Sequence, residues 1–225
     1  ISHDLRTPLT AIKASIGVVL ANEPPGMPEP LHRMLLNIEH GADRMGRLVA
    51  DLLELARIRA GRARPQLALC DLHELVRRTA EHVEPLLETR GQRLTVDLPE
   101  EPISVMVDRE RLERALGHLL DNAHKFGRDG GTIHLRLCHH ADEVVFAVVD
   151  DGPGIPKVEL ERIFDRFYRA EPENGHLFQG SGLGLPLVRA AAELHGGEVR
   201  VDSTPGTGTT FRLTLPTNAS VTTRE

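Results

Sequence analysis

The segment Val144-Val-Phe-Ala-Val-Val-Asp-Asp-Gly-Pro-Gly-Ile155 decides how the larger part of this chain folds. Its first six residues are apolar and mostly β-branched, which predicts a strand with a buried face. Asp150 then ends the strand, and two glycines separated by one residue follow it. Glycines let a backbone pass close to a ligand, and a carboxylate at a strand end can accept a hydrogen bond from an amine. The segment therefore predicts a sheet with a ligand-binding turn at its edge, although glycine pairs also occur in ordinary turns.

Alternating apolar and polar residues on both sides of this segment predict further strands, and the periodic segments between them predict helices. We expect strands at 66–70, 93–98, 104–107, 132–138, 143–150, 198–203 and 209–215, and helices at 71–90 and 108–126. Asp71 with Glu74 has the capping-box pattern of a helix start, and Asp108 can cap the next helix. Helices and mostly antiparallel strands in this order predict an α+β fold, a two-layer sandwich. The polar tail from Thr217 is expected to fray.

The first sixty residues follow a different pattern, with apolar side chains at alternating spacings of three and four. This is the seam of a coiled coil, and it predicts two helices. The seam residues are Leu5, Leu9, Ile12, Ile16 and Val19 in the first helix and Leu31, Leu35, Ile38, Ala42, Met45, Val49, Leu52 and Ala56 in the second. The proline-rich stretch 23–30 cannot continue a helix and predicts the turn of an antiparallel hairpin. Because one hairpin leaves apolar surface unburied, we expect a dimeric four-helix bundle, with a monomeric hairpin packed on the rest of the chain as the alternative.

Composition and charge exclude several classes of function. The 225 residues are 40% hydrophobic and 27% charged, with a net charge of −6 and only 3% aromatic residues. This balance argues against a nucleic-acid-binding surface, which needs clustered cations and often aromatic stacking. No apolar run approaches the ~20 residues that span a bilayer, and two cysteines cannot build a disulfide framework. We therefore expect a cytoplasmic fragment without membrane contact, cut from a longer protein because it begins at Ile1 rather than Met.

Two more glycine clusters and one polar helix complete the candidate site. The cluster Gly180-Ser-Gly-Leu-Gly-Leu185 precedes an apolar helical run, and glycines at a helix start expose backbone N–H groups to an anion. The cluster Gly206-Thr-Gly-Thr-Thr210 separates the last two predicted strands. The polar helix is the one predicted at 108–126. Its Asn122 amide oxygen suits Mg²⁺, and Lys125 could neutralise phosphate charge. The alternative is that both side chains belong to an ordinary solvated helix edge. No lysine follows a glycine, so a nucleotide would be held without a P-loop.

Six motifs in a fixed order make the chain resemble a bacterial two-component sensor histidine kinase. They match the family's H, N, G1, F, G2 and G3 boxes and are, in that order, His3-Asp-Leu-Arg-Thr-Pro-Leu9, Asp121-Asn-Ala-His-Lys-Phe126, Asp150-Asp-Gly-Pro-Gly154, Phe164-Asp-Arg-Phe167, Gly180-Ser-Gly-Leu-Gly184 and Gly206-Thr-Gly208. The resemblance implies a dimerisation and histidine phosphotransfer domain at 1–64. At 65–225 it implies the ATP-binding fold shared by gyrase, heat-shock chaperone and mismatch-repair ATPases, after a polar linker at 60–65.

The resemblance also implies roles for residues of the first helix. His3 would be the phosphoacceptor, and Asp4 would accept a hydrogen bond from the other ring nitrogen, which fixes the tautomer. Thr7 matches the position at which family members orient water when they dephosphorylate their partner. The helical pattern agrees, because His3 and Thr7 share the exposed face if Leu5 and Leu9 face the core.

By the same resemblance the second domain holds ATP and Mg²⁺. Asn122 would bind Mg²⁺, with His118 as a second candidate ligand at a position where the family often carries another asparagine. Asp150 would accept a hydrogen bond from the adenine amino group, and Phe164 with Phe167 would anchor a nucleotide lid at about 170–179. The remaining nucleotide contacts would come from Lys125, Phe126, Gly152, Gly154, Gly180, Gly182, Leu183, Gly184 and Thr209.

The implied function is ATP-dependent autophosphorylation of His3 and transfer of the phosphoryl group to an aspartate on a response-regulator receiver domain. Phosphatase activity toward that regulator is a further expectation, and the full-length protein would be a cytoplasmic-membrane sensor. Two other hypotheses stay open. A simple ATPase of the gyrase or chaperone kind leaves the His3 motif unexplained. A docking module that mainly stimulates dephosphorylation is disfavoured by the intact Asn122, Asp150 and glycine boxes.

Overall fold

The computed structural model describes residues 2–22, 27–169 and 180–217, with side chains from Thr7 onward in the first range. The chain divides into two compact units, Ile1–Ala63 and Arg64–Glu225. The predicted combination of a helical hairpin and an α/β sheet domain is confirmed. Within the described ranges, no helix is long and apolar enough to cross a membrane.

The first unit consists of α1 (Ser2–Ala21) and α2 (Glu29–Arg59). Pro28 is the N-cap of α2 and Pro30 lies in its first turn. A proline costs little there, because the first N–H groups of a helix have no intrahelical partner. The turn predicted at 23–30 therefore extends too far, because residues 29 and 30 already belong to α2. Residues 23–26 of that turn lie outside the described part of the chain.

The coiled-coil seam is only partly buried within one chain. The seam residues Leu9 and Ile16 of α1 and Ala42 of α2 are buried. The predicted seam residue Ala56 is exposed, and the adjacent Leu55, which is outside the predicted seam, is buried. Other large seam residues are between 41% and 55% exposed, namely Ile12, Val19, Leu31, Ile38, Met45 and Leu52. A single hairpin therefore leaves an apolar face uncovered, which is the surface that the sequence pattern assigns to dimerisation.

The described residues of the second unit form two sheets. Its elements are β1 (Ala68–Asp71), α3 (Leu72–Glu88), β2 (Arg93–Asp97), β3 (Ser104–Val107), α4 (Arg109–Phe126), β4 (Thr132–His140), β5 (Glu143–Asp150), α5 (Lys157–Leu160), α6 (Gly184–Leu194), β6 (Glu198–Thr204) and β7 (Gly208–Pro216). Strands β1 and β3 form a small antiparallel sheet, and the large sheet has the order β2-β4-β5-β7-β6. Only the β2–β4 pairing of the large sheet is parallel. The strand predictions are confirmed, with boundaries that shift by one or two residues.

The core lies between the large sheet and the apolar faces of α3, α4 and α6. On β5 the alternating residues Val144, Phe146 and Val148 are fully buried, and Leu116 and Leu120 of α4 are fully buried as well. Each such side chain stabilises the fold by about 1.5–3 kcal/mol relative to exposure. The sheet and helix layers are those of the predicted two-layer sandwich.

Both predicted helix caps are present. The Asp71 carboxylate accepts hydrogen bonds from the N–H groups of His73 and Glu74 at 2.8 and 3.3 Å, and Asp108 caps α4. The Glu74 carboxylate pairs with Arg109 of α4 at 2.8 Å, which lowers the pKa of Glu74. Glu74 therefore connects two helices instead of completing the predicted capping box.

Two predicted boundaries differ from those in the structure. Helix α3 ends at Glu88, two residues before its predicted end at about residue 90. The Thr217 N–H donates to the carbonyl oxygen of Asp142 at 2.8 Å, so the expected frayed tail does not begin at this residue. Residues 218–225 of that tail lie outside the described part of the chain.

Candidate functional site

The G1 and G3 boxes meet at one edge of the large sheet. Asp150 ends β5 opposite Thr209 of β7. The Asp150 Oδ1 atom accepts a hydrogen bond from the Gly152 N–H at 2.9 Å, which folds the turn back onto the carboxylate. The Gly206 N–H donates to the carbonyl oxygen of Pro153 at 2.6 Å. The two boxes are far apart in sequence, and the β5–β7 pairing brings them together.

Two polar residues that the sequence analysis missed support this edge. Ser203 Oγ accepts a hydrogen bond from the Ile155 N–H at 2.8 Å and donates to the Gly208 carbonyl at 2.9 Å. The same oxygen lies 2.9 Å from the Oγ1 atom of Thr209. The Asp151 carboxylate accepts from the first N–H of β4 at 3.0 Å. Its place inside the G1 box is a signal that could have identified Asp151, whereas Ser203 lies in a strand without a motif.

Gly152 brings the end of α4 against the Asp150 carboxylate. A Cβ atom at Gly152 would lie 2.6 Å from Asp150 Oδ1 and 2.7 Å from the carbonyl oxygen of Phe126. Both distances are shorter than van der Waals contact, so a side chain here would push the turn and the helix apart. A Cβ atom at Gly154 would likewise overlap the backbone of Thr204, at its carbonyl oxygen. Glycine is therefore needed at these positions for contact with the protein's own backbone, and the predicted approach of a ligand to these glycines stays a prediction.

The electrostatics of Asp150 follow from its position. The residue is buried, and burial raises the pKa of its carboxyl, while hydrogen bonds from the backbone N–H groups of Gly152 and Thr209 act in the opposite direction. These N–H groups fix the orientation of the carboxyl group. A buried acceptor with a fixed orientation is suited to recognise an amine that donates a hydrogen bond.

Helix α4 supplies the polar groups beside this turn. Asn122 and Lys125 are half-buried and share one face of the helix, and Phe126 is exposed. Lys125 forms an ion pair with Asp121. Among the described residues, no three or more His, Cys, Asp or Glu side chains are grouped so that they could hold a metal ion. An amide oxygen is a ligand type that Mg²⁺ accepts together with water and phosphate oxygens, and the role of Asn122 as a Mg²⁺ ligand stays a prediction.

The G2 box leads into α6. Gly182 has a φ of +67°, and its carbonyl accepts a hydrogen bond from the Phe167 N–H at 2.9 Å. Leu183 is buried and its N–H donates to Ser181 Oγ at 3.2 Å. Helix α6 begins at Gly184, so the N–H groups of Gly184 and Leu185, which have no partner within the helix, lie at the end of the box. Such groups can bind an anion. A Cβ atom at Gly180 would meet no atom of the described residues within 4 Å.

The F box is anchored by one of its two phenylalanines. Phe164 is buried, its ring centroid lies 6.4 Å from that of Phe211, and the Arg189 guanidinium stacks 4.2 Å from it. Phe167 is 61% exposed and makes its contact with the G2 box through its backbone. The role of Phe164 and Phe167 as anchors of the lid stays a prediction, with Phe164 held by its side chain and Phe167 by its backbone. The predicted lid at 170–179 lies outside the described residues.

The candidate phosphoacceptor region belongs to the first unit. His3 and Asp4 lie in α1, but their side chains are outside the described part of the chain. Thr7 is exposed and Leu9 is buried, as the helical pattern predicts. The roles of His3, Asp4 and Thr7 stay predictions.

His118 lies one turn before Asn122 on α4 and packs against the start of α6. A Cβ atom at Gly184 would lie 3.3 Å from the Nδ1 atom of His118. The Nε2 atom is buried and has no hydrogen-bond partner among the described residues. Burial lowers the pKa of the imidazole to about 4, so the ring is neutral at physiological pH. A packing role at the α4–α6 contact is visible, and the role of His118 as a metal ligand stays a prediction.

We expect His118 to make the stability of the nucleotide-free protein depend on pH between 6.5 and 4. The unfolded chain binds the proton with a pKa of 6.5 and the folded chain with a pKa of about 4. The folded state is therefore favoured above pH 6.5 and loses this stabilisation as the pH falls toward 4, by ~3 kcal/mol in total. Calorimetric melting across this range should show a smaller loss for His118→Asn than for the wild type. The expectation would be contradicted if the melting temperatures of the wild type and His118→Asn fell in parallel with pH. An NMR titration that gives His118 a pKa near 6.5 would contradict it as well.

The site and fold together define a class of nucleotide-binding ATPases. Residues 107–219 match the family described as histidine kinase-, DNA gyrase B- and HSP90-like ATPase. Residues 1–61 match the His Kinase A (phospho-acceptor) domain. The first match lies within the second unit and leaves residues 64–106 outside it, and the second match covers most of the first unit.

Individual relatives narrow this class. The alginate biosynthesis sensor protein KinB of Pseudomonas aeruginosa is 34% identical over 217 residues, which are 96% of this chain and 36% of KinB. The sensor histidine kinase YcbM of Bacillus subtilis is 30% identical over 215 residues, which are 95% of this chain and 68% of YcbM. The structure of full-length ShkA in complex with AMPPNP matches this chain with a TM-score of 0.81 and 28% identity. The match covers 97% of this chain and 45% of the ShkA chain. The chain belongs to the family of bacterial two-component sensor histidine kinases.

Proposed function

We propose that this chain is a catalytic core that transfers the γ-phosphoryl group of ATP to His3 and then to an aspartate of a response regulator. The observation that carries the proposal is the assembled nucleotide site. Asp150 is buried beside the G1 and G3 boxes, and the end of α4 borders Gly152 through the Phe126 carbonyl. The complex of ShkA with AMPPNP supports ATP binding by this chain.

In the proposed step, a neutral ring nitrogen of His3 attacks the γ-phosphorus in line. The N–P bond forms as the bond between the γ-phosphorus and the β–γ bridging oxygen breaks, and ADP leaves. Asp4 accepts a hydrogen bond from the N–H of the other ring nitrogen, which keeps the attacking nitrogen unprotonated and stabilises the positive charge that develops on the ring.

The second unit would bind and orient the nucleotide. Asp150 accepts from the adenine amino group, and the close backbone at Gly152 and Gly154 lets the base approach the turn. Lys125 and the N–H groups at the start of α6 offset phosphate charge. Asn122 would hold Mg²⁺, with His118 as the second candidate, and the bound ion neutralises charge on the phosphates.

The first unit would provide the partner surfaces. The uncovered apolar face of the hairpin supports a homodimer through a four-helix bundle. A receiver domain of a response regulator would dock near His3, where the exposed Thr7 would orient water for dephosphorylation. We propose that the full-length protein is a membrane-bound sensor and that this part of it is cytoplasmic.

Incubation of the chain with Mg²⁺ and γ-labelled ATP tests the proposal. We expect label on the protein that is lost in acid and retained in alkali, as a phosphohistidine requires. ATP hydrolysis without protein label would favour the simple ATPase. Nucleotide binding with neither label nor hydrolysis would favour the docking module.

A further inference from the structure

The end of α4 is held by the turn between α3 and β2. The Arg90 guanidinium donates hydrogen bonds to the carbonyl oxygens of His124, of Lys125 at 3.1 Å and of Gly127 at 3.0 Å. The last carbonyls of a helix have no intrahelical partner and form the negative end of its dipole. A cation that binds three carbonyl groups there therefore stabilises the final turn of α4 against fraying.

Gln92 holds the same turn from the buried side. Its Nε2 atom donates to the carbonyl oxygens of His124 at 3.1 Å and Arg128 at 3.0 Å. Its Oε1 atom lies 2.6 Å from the Nδ1 atom of His124, so this nitrogen carries the proton and donates. Gln92 and His124 are both buried, so loss of either would leave polar groups unsatisfied. We call Arg90, Gln92 and His124 the α4 clamp.

The α4 clamp holds the part of the helix that carries the phosphate-side residues. Lys125 belongs to the clamped turn, and Asn122 lies one turn before Phe126. Asp150, in contrast, is held by the β5–β7 pairing and by the Gly152 N–H. The two halves of the proposed ATP site approach each other at Gly152 and Phe126, but the hydrogen bonds that hold them come from different elements, the sheet for the base and the α4 clamp for the phosphates.

Building on the proposed function, we propose that the α4 clamp positions the phosphate-binding half of the ATP site. Arg90, Gln92 and His124 are positioning residues, since they act through α4 on Asn122 and Lys125. Arg90 is oriented in turn by Asp129, whose carboxylate accepts from its Nε at 2.6 Å. The clamp predicts a selective defect, in which affinity for the triphosphate is lost and affinity for the nucleoside is retained.

The test compares the Kd for MgATP with the Kd for adenosine in the full chain. In Arg90→Met and Gln92→Leu the Kd for MgATP should rise about tenfold, while the Kd for adenosine should change less than about twofold. Arg90→Lys keeps the charge but cannot donate in a fork to three carbonyls, so its effect should be intermediate. Arg136→Met is the matched control, because Arg136 forms an exposed ion pair with Asp97 at 2.9 Å on the sheet. Asp150→Asn should weaken both ligands.

The outcomes separate this proposal from the one on which it rests. A wild-type chain that binds no MgATP would overturn the proposed function itself. If the wild type binds and the clamp variants leave both Kd values unchanged, or raise both equally, the α4 clamp has no positioning role and the proposed function stands. Circular dichroism shows whether each variant folds. If Arg90→Met does not fold, the comparison of Kd values is made with Arg90→Lys. Faster hydrogen exchange at residues 122–127 in the folded variants is the expected structural signature.

Discussion

Replacing His3 by glutamine should abolish incorporation of label from γ-labelled ATP, while the Kd for ATP stays within about twofold of the wild-type value. The glutamine amide is similar in size but is not a nucleophile, because its nitrogen lone pair is delocalised into the carbonyl group. His3 belongs to the first compact unit and the nucleotide site to the second, so binding should survive the change. Label on the protein is measured after separation in denaturing gels, and the Kd is measured by calorimetric titration.

A second histidine of the same unit is the control for this prediction. His40 lies exposed on α2, and His40→Gln should be labelled as strongly as the wild type. Residual labelling of His3→Gln at the wild-type level would show that another side chain accepts the phosphoryl group. Loss of ATP binding together with labelling would show that the change acts on the fold and not on the chemistry.

Replacing Gly208 by alanine should destabilise the second unit by roughly 3–5 kcal/mol and eliminate measurable ATP binding. Gly208 has a φ of +133°, which side chains of L-residues rarely adopt, and a Cβ atom there would overlap the carbonyl oxygen of Asp150. Relief of this overlap requires β7 to move away from β5 at the point where the Asp150 carboxylate is held. Urea unfolding followed by circular dichroism gives the free energy, and titration with ATP gives the loss of binding.

Gly206 in the same turn offers a matched control. It also has a positive φ, +82°, but a Cβ atom there would meet no atom within 4 Å in the part of the chain that the structure describes. Gly206→Ala should therefore cost only the backbone strain, about 1 kcal/mol, and ATP binding should persist. Equal destabilisation by the two alanines would mean that strain alone, and not contact with Asp150, determines the cost at Gly208.

Most elements of the fold could be predicted because their signals are local. The caps Asp71 and Asp108 act on N–H groups within three residues, and the period-two pattern of β5 is carried by adjacent side chains. The glycine boxes likewise marked turns in which backbone geometry depends on the residue itself. The turn before α2 was predicted too long because Pro30 is compatible with the first turn of a helix.

The contacts that assemble the site could not be predicted in the same way. Arg90 reaches the end of α4 across 34 to 37 positions of sequence, and His195 Nε2 accepts from the Asp108 N–H across 87. No periodicity or spacing indicates which distant partner a side chain will meet. The neutral state of His118 is a further example, since the pKa of an imidazole depends on burial that only packing against α6 creates.

The sequence by itself determined the order of helices and strands, the hairpin with its apolar seam, and the residues that carry the resemblance to the kinase family. These follow from the period of apolar side chains, from caps and from glycine turns, all of which act between near neighbours. Only the tertiary structure decided that the G1 and G3 boxes share one edge, that the α4 clamp holds the end of its helix, and that Phe164 and not the side chain of Phe167 is buried. The reason is that strand pairing and core packing join groups that are distant in sequence, and burial and hydrogen bonding are properties of the assembled layers.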